Sequence, residues 1–162
     1  MGITMKNARG VSTVVIVVAV VGLILSTAMY FIFNNVQSRV SLLVGDGAYK
    51  ARVVESPDSR DNGLKGIVDF KKDDALLMVF PSDDLWKIDI SNNNFPVDII
   101  WLNQNKKIIY SVSNISTESG DKVYVPIAKA RYVIELAGGS INDMQIRSTS
   151  TVIFSVNEDN VK

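Results

Sequence analysis

The chain has 162 residues, 17 basic and 17 acidic, and contains neither cysteine nor histidine. Those absences exclude disulfides, cysteine nucleophiles, Ser-His-Asp triads, thiolate zinc sites and imidazole metal sites within one chain. From Asp46 onward there are 14 basic against 17 acidic residues, so no basic block exists for phosphate backbones and no nucleic-acid partner is expected.

The first element is an uncharged run from Val11 to Phe33. As a helix rising about 1.5 Å per residue it reaches roughly 34 Å, enough for a hydrocarbon core of about 30 Å. Lys6 and Arg9 precede it, and Tyr30, Phe31 and Phe33 cluster at its far end. This pattern reads as a single-pass signal anchor over 11–33, with a cytoplasmic N-terminus over 1–10 and the C-terminal domain extracytoplasmic at the cell membrane. Two other readings fit the same stretch. A cleaved secretory signal would use Ser26-Thr27-Ala28 as its small-x-small site. A pilin-like filament subunit would be processed after Gly10, where Arg9-Gly10-Val11-Ser12-Thr13 resembles a type IV pilin site; Val15 replaces the usual acid at the fifth mature position.

Residues 34–49 read as stalk and linker, with Gly45-Asp46-Gly47 as a break. From 50 to 156 short apolar runs alternate with turn residues: ARVVE, ALLMVF, VDIIWL, KKIIYSVS, DKVYVPI, ARYVIELA and STVIFSV. Each has the length and β-branched content of a strand. Ser56-Pro57-Asp58 offers an N-cap, a first-turn proline and an early acid, with Gly63 ending the turn. Ser140 is a second candidate cap, for a piece over Ile141 to Ile146. Residues 157–162 form a tail. The predicted fold is α+β and mostly β, a compact closed or nearly closed sheet with two short helices, preceded by one transmembrane helix.

Five motifs in order resemble the family called domain of unknown function 192. They are Ser56-Pro57-Asp58-Ser59-Arg60, Gly63-Leu64-Lys65-Gly66 and Ala75-Leu76-Leu77-Met78-Val79-Phe80, followed by two longer blocks. Those blocks run from Ile90 to Trp101 (ISNNNFPVDIIW) and from Tyr132 to Gly139 (YVIELAGG). The resemblance covers roughly residues 50 to 154 and implies a compact β-rich fold without implying an activity. Departures mark a divergent member. Met-Lys-Asn-Thr of the family becomes Ile90-Ser91-Asn92-Asn93, and a late Gly-Ile-x-x-Gly-Asp falls on Gln145 to Ser150 without its glycines or acid.

Four residues are binding candidates: Arg60, Asn92, Asp98 and Glu135. Alternation puts Asp98 on a strand face with Ile100, and Glu135 on a face with Val133, so both acids are expected partly enclosed. Buried carboxylates are paired or hydrogen-bonded, and Arg60 is the natural partner, since a guanidinium holds a carboxylate with two parallel bonds. Asn92 falls in an asparagine run suited to a turn, or to an amide-lined pocket. Asp73-Asp74 and Asp83-Asp84 read as solvated turns, because neither fits a calcium loop. No cofactor and no catalytic residue are called for. The expected function is a membrane-anchored, extracytoplasmic binding or envelope-associated module with an unknown protein or small polar ligand as partner. An acid-dependent hydrolase using Asp98 and Glu135 as paired carboxylates is the alternative.

Overall fold

The computed structural model describes residues 6–35, 39–120, 122–159 and 161–162. They fall into two units, 1–37 and 38–162. The first is a helix, α1 (Lys6–Asn35). Its side chains are described from Val14 to Tyr30, and Val14, Ile16, Val18, Leu23 and Leu25 are all well exposed. Ser26 and Thr27 turn their hydroxyls back onto the carbonyls of Leu23 and Ile24, so the helix satisfies its own polar groups. Among the described residues no helix is long and apolar enough to cross a membrane. The span expected over 11–33 is therefore not found among them; that run continues past the described side chains at both ends, and the pilin-type site at Gly10 lies outside them.

The second unit is built on one seven-stranded sheet. In chain order its strands are β1 (Arg39–Val44), β2 (Gly47–Val54), β3 (Asp74–Asp84), β5 (Val97–Leu102), β6 (Ile108–Ile115), β8 (Ala130–Ala137) and β9 (Val152–Ile153). A separate ribbon pairs β4 (Ile88–Asp89) with β7 (Val123–Tyr124). Spatial order is β6-β5-β8-β3-β2-β1-β9, and only β2 and β3 run parallel. A parallel neighbour needs a crossover, supplied by α2 (Pro57–Asn62). The predicted closed or nearly closed sheet is corrected here: β6 and β9 remain separate edges, and the sheet curls as an open half-barrel.

Period-two alternation divides the core between the two sheet faces. Leu77, Val79, Ile100, Leu102, Ile134 and Leu136 belong to one cluster. Leu76, Met78, Ile99, Trp101 and Val133 belong to the other. α2 forms as its residues dictate, with Ser56 and Ser59 in a reciprocal capping box, Pro57 in the first turn and Gly63 closing it at φ +46°.

Three expectations change. The stretch 34–49 carries β1, which pairs along its length with β2 around Gly45 at φ +56°, so the domain begins before residue 50. The second short helix is α3 (Ser140–Asp143), shorter than expected, and its N-cap is Gly139 at φ +87° while Ser140 donates to the Ala137 carbonyl. The tail is docked: Glu158 accepts from Arg131 at 2.8 Å and from the Tyr132 hydroxyl, and the Lys162 amide donates to Glu55.

Candidate functional site

The sheet face carrying Leu76 and Trp101 opens, between α2 and the β4–β7 ribbon, onto a cavity of about 540 Å³. Arg60, Asn92 and Glu135 all line it, and Asp98 does not. Asp98 and Glu135 stand on opposite faces of the sheet, with Asp98 level with Leu136 across the β5–β8 pair and Glu135 level with Ile99. The paired-carboxylate geometry of the hydrolase alternative is therefore absent, since those two acids cannot flank one bond.

Asp98 is a latch rather than a site residue. It is 0% exposed. One oxygen accepts from the amides of Asn114 at 2.6 Å and Gly139 at 2.9 Å, and the other from Ile141 at 2.6 Å. The Gly138-Gly139 pair makes this approach possible. A Cβ on Gly138 would lie 2.7 Å from the Pro96 side chain and 2.9 Å from its backbone. The Gly138 amide itself donates to the Pro96 carbonyl at 2.8 Å. The Pro96-Val97-Asp98 and Ala137-Gly138-Gly139 motifs thus hold each other and start α3.

Arg60 also has different partners from those expected. Its Nη1 donates to the carbonyls of Glu55 at 2.5 Å and Val79 at 3.0 Å, and its Nη2 to Lys162 at 2.6 Å. The guanidinium lies 4.8 Å from the centre of the Phe80 ring, a favourable cation–π arrangement. It binds neither acid, and it ties α2, β3 and the tail into one wall of the cavity.

Glu135 sits in mid-strand, level with Leu76 of β3 and Ile99 of β5, and is 2% exposed. Among the described residues its buried Oε2 has no hydrogen-bond partner. Burial pushes its carboxyl up to about 7, against a smaller opposing pull from Arg52. Arg52 lies level with Leu76, so it faces Glu135 across one intervening strand and donates to the Gly63 carbonyl. Burial in turn lowers the Arg52 guanidinium below its usual range, while Glu135 pulls it back up.

The neighbouring turn contributes a second unsatisfied group. The Asn93 amide closes the turn onto Ile90 at 3.0 Å, and among the described residues its buried Nδ2 has no partner. Asn92 is exposed at the mouth. Phe80 and Trp86 stack with centroids 4.3 Å apart and planes 15° apart, forming a flat aromatic wall.

Sequence reasoning missed Arg52 and Asn93. Arg52 was legible as a cation followed by an apolar run, Arg52-Val53-Val54, where a charge needs a partner. Asn93 differed from Asn92 only in which way the turn points its side chain, which composition does not encode. Of the acidic pairs, Asp73 meets Lys50 at 3.0 Å and Asp84 accepts the Leu85 amide; among the described residues no acidic group is arranged to hold a metal.

The model of the DUF192 family, described as "Uncharacterized ACR", matches residues 40–154. The chain belongs to this family. No curated protein matches the chain. Among solved structures, one described as a candidate transcription regulator from Sinorhizobium meliloti 1021 superposes with a TM-score of 0.68 at 15% identity, covering 73% of this chain and 95% of that one. A protein of unknown function from Novosphingobium aromaticivorans DSM 12444 gives a TM-score of 0.66 at 14% identity, covering 71% of this chain and 84% of that one. At such identities the likeness is one of fold.

Proposed function

We propose that this DUF192 member is a binding module, tethered to a membrane by its N-terminal helix, whose cavity takes a small polar ligand on the outer side. One observation carries the binding reading: Glu135 and Asn93 line the same cavity, and among the described residues their buried Oε2 and Nδ2 atoms have no hydrogen-bond partner. An unmade hydrogen bond on a buried group costs about 1–3 kcal/mol, so two such groups in one open cavity favour a ligand that completes both. The ligand must offer an acceptor to Asn93 and a hydrogen-bonding group to Glu135. Catalysis is not needed to account for the arrangement, because Asp98, the carboxylate expected to pair with Glu135, stands on the other face of the sheet.

The tether reading is supported by the uncharged sequence run from Val11 to Phe33 and by the exposed apolar side chains along α1. Lys6 and Arg9 ahead of that run favour an inside N-terminus. Alkaline carbonate should leave the chain in the membrane pellet and external protease should reach the β-rich domain; release by carbonate overturns the tether.

The cavity is tested by NMR on the full chain in detergent micelles, titrated with glycerol and with acetamide. Shifts are expected at the Trp86 indole and the Asn93 side-chain amide, with the Gly139 amide, held by Asp98 on the other sheet face, unmoved. Silence at Trp86 and Asn93 with both probes overturns the binding reading.

A further inference from the structure

The chemistry around the cavity is layered, and each layer narrows the ligand. At the floor, the lining residues Glu135 and Asn93 hold one buried carboxyl oxygen and one buried amide donor, which a side-chain rotation would bring to a ligand. A hydroxyl both donates and accepts, so hydroxyls serve Asn93 and satisfy Glu135 whether or not it carries its proton. Along the wall, Phe80 is buried between Arg60 and Trp86, and the outer face of the half-buried Trp86 ring offers a flat apolar surface suited to the C–H face of a saturated ring. At the mouth, Lys65, Lys87 and Lys162 are exposed around the opening beside Arg60. The acids there are Asp61 and Asp89, and Asp89 is already bonded to the amide and hydroxyl of Ser91.

This layering orients a ligand. A negative charge carried deep would meet Glu135, while at the mouth it meets an excess of cations. A positively charged ligand is opposed by those same cations. A volume of about 540 Å³ accommodates one sugar ring with bound water.

We propose that the ligand is an anionic monosaccharide, a sugar acid or sugar phosphate, with hydroxyls against Glu135 and Asn93, its ring face on the aromatic wall and its charge at the lysine-lined mouth. This assignment rests on the cavity being a binding site.

Calorimetric titration of the full chain in detergent micelles tests it, using glucose, glucuronate, glucose 6-phosphate and glucosamine, with the corresponding galacto and manno sugars. At low salt an anionic sugar should bind roughly three- to tenfold more tightly than its neutral parent, with the advantage shrinking as salt is added. Comparing the carboxylate and phosphate arms identifies which anion the mouth prefers. The Lys65→Glu, Lys87→Glu double variant should bring the anionic-to-neutral ratio down to about one. Glu135→Met, which removes the hydrogen-bonding group and is confirmed folded by near-UV circular dichroism, should weaken every sugar. Equal affinities for charged and neutral sugars, or tightest binding of the amino sugars, overturn the anionic assignment. Unchanged affinity in Glu135→Met overturns the floor contact. If no sugar binds while acetamide still shifts the Asn93 amide, the sugar assignment falls and the binding site stands. If neither registers, both fall.

Discussion

In an unfolded chain the Glu135 carboxyl titrates at its ordinary value of 4.5, and in the folded domain burial raises it to about 7. Between those values the folded state binds the extra proton, so stability is full below about pH 4.5 and declines as pH rises through 7. A shift of that size corresponds to a loss on the order of 3 kcal/mol above pH 7. Glu135→Gln keeps the shape and removes the titration. Its melting temperature should exceed that of the unmodified chain at pH 8, and the gap should close by pH 4.5; a constant gap across that range would count against the shift. Arg52 supplies the opposing pull, so Arg52→Gln should move the Glu135 titration higher still, as read by carboxyl carbon NMR. Asp98 behaves differently. Its two oxygens already accept three backbone amides, and Asp98→Asn turns one acceptor into a donor facing a donor. That substitution should destabilise the domain by about 2–4 kcal/mol in urea titration. The sequence placed Asp98 and Glu135 alike, as acids within apolar strands, and their divergence comes from loop backbone that only folding brings to one of them.

α2 shows how much of an element is written locally. Ser56, Pro57, Asp58 and Gly63 each occupy a position where backbone chemistry favours them, and the helix was legible from those residues alone. What it is tied to was not. Arg60 was expected to reach a carboxylate and instead donates to three carbonyls from separate stretches of chain, Glu55, Val79 and Lys162. The fork geometry of guanidinium is what allows one side chain to serve all three. Lysine cannot, so Arg60→Lys should cost about 1–3 kcal/mol and increase hydrogen exchange at the Lys162 amide, which donates to Glu55. Loss of stability without faster exchange there would separate the tail from the Arg60 tie. β1 was missed for a converse reason. Val40, Leu42 and Val44 alternate as a strand should, yet they lie between the largely polar stretch Asn34 to Arg39 and the Gly45-Asp46-Gly47 break and so read as stalk and linker. Pairing with β2 distinguishes them, and that partner is visible only in the folded chain.

Across the β-rich unit one sheet carries apolar clusters on both faces, so each central strand belongs to two cores at once. Leu76 and Leu77 are consecutive on β3 and both are 0% exposed, yet they point into different clusters. The cavity sits on the Leu76 side, bounded by Glu135 on the neighbouring strand. If the two faces were separable, loss of packing on one would leave the other folded. Shared strands argue against that, because a sheet that loses packing on one face loses the backbone pairing on which the other is laid. Leu76→Ala and Leu77→Ala should therefore each lower stability by about 2–5 kcal/mol, the range for buried leucine truncation. Each should also preserve a single unfolding transition. Trp101 reports on one face and Tyr132 on the other, so fluorine NMR with the label at each position in turn can follow both against the far-ultraviolet circular dichroism of the sheet. Coincident curves for the two variants are the expected result. A Leu77→Ala variant whose Tyr132 signal melts before its tryptophan signal would instead make the faces independent, and the cavity would then rest on one half of the core alone.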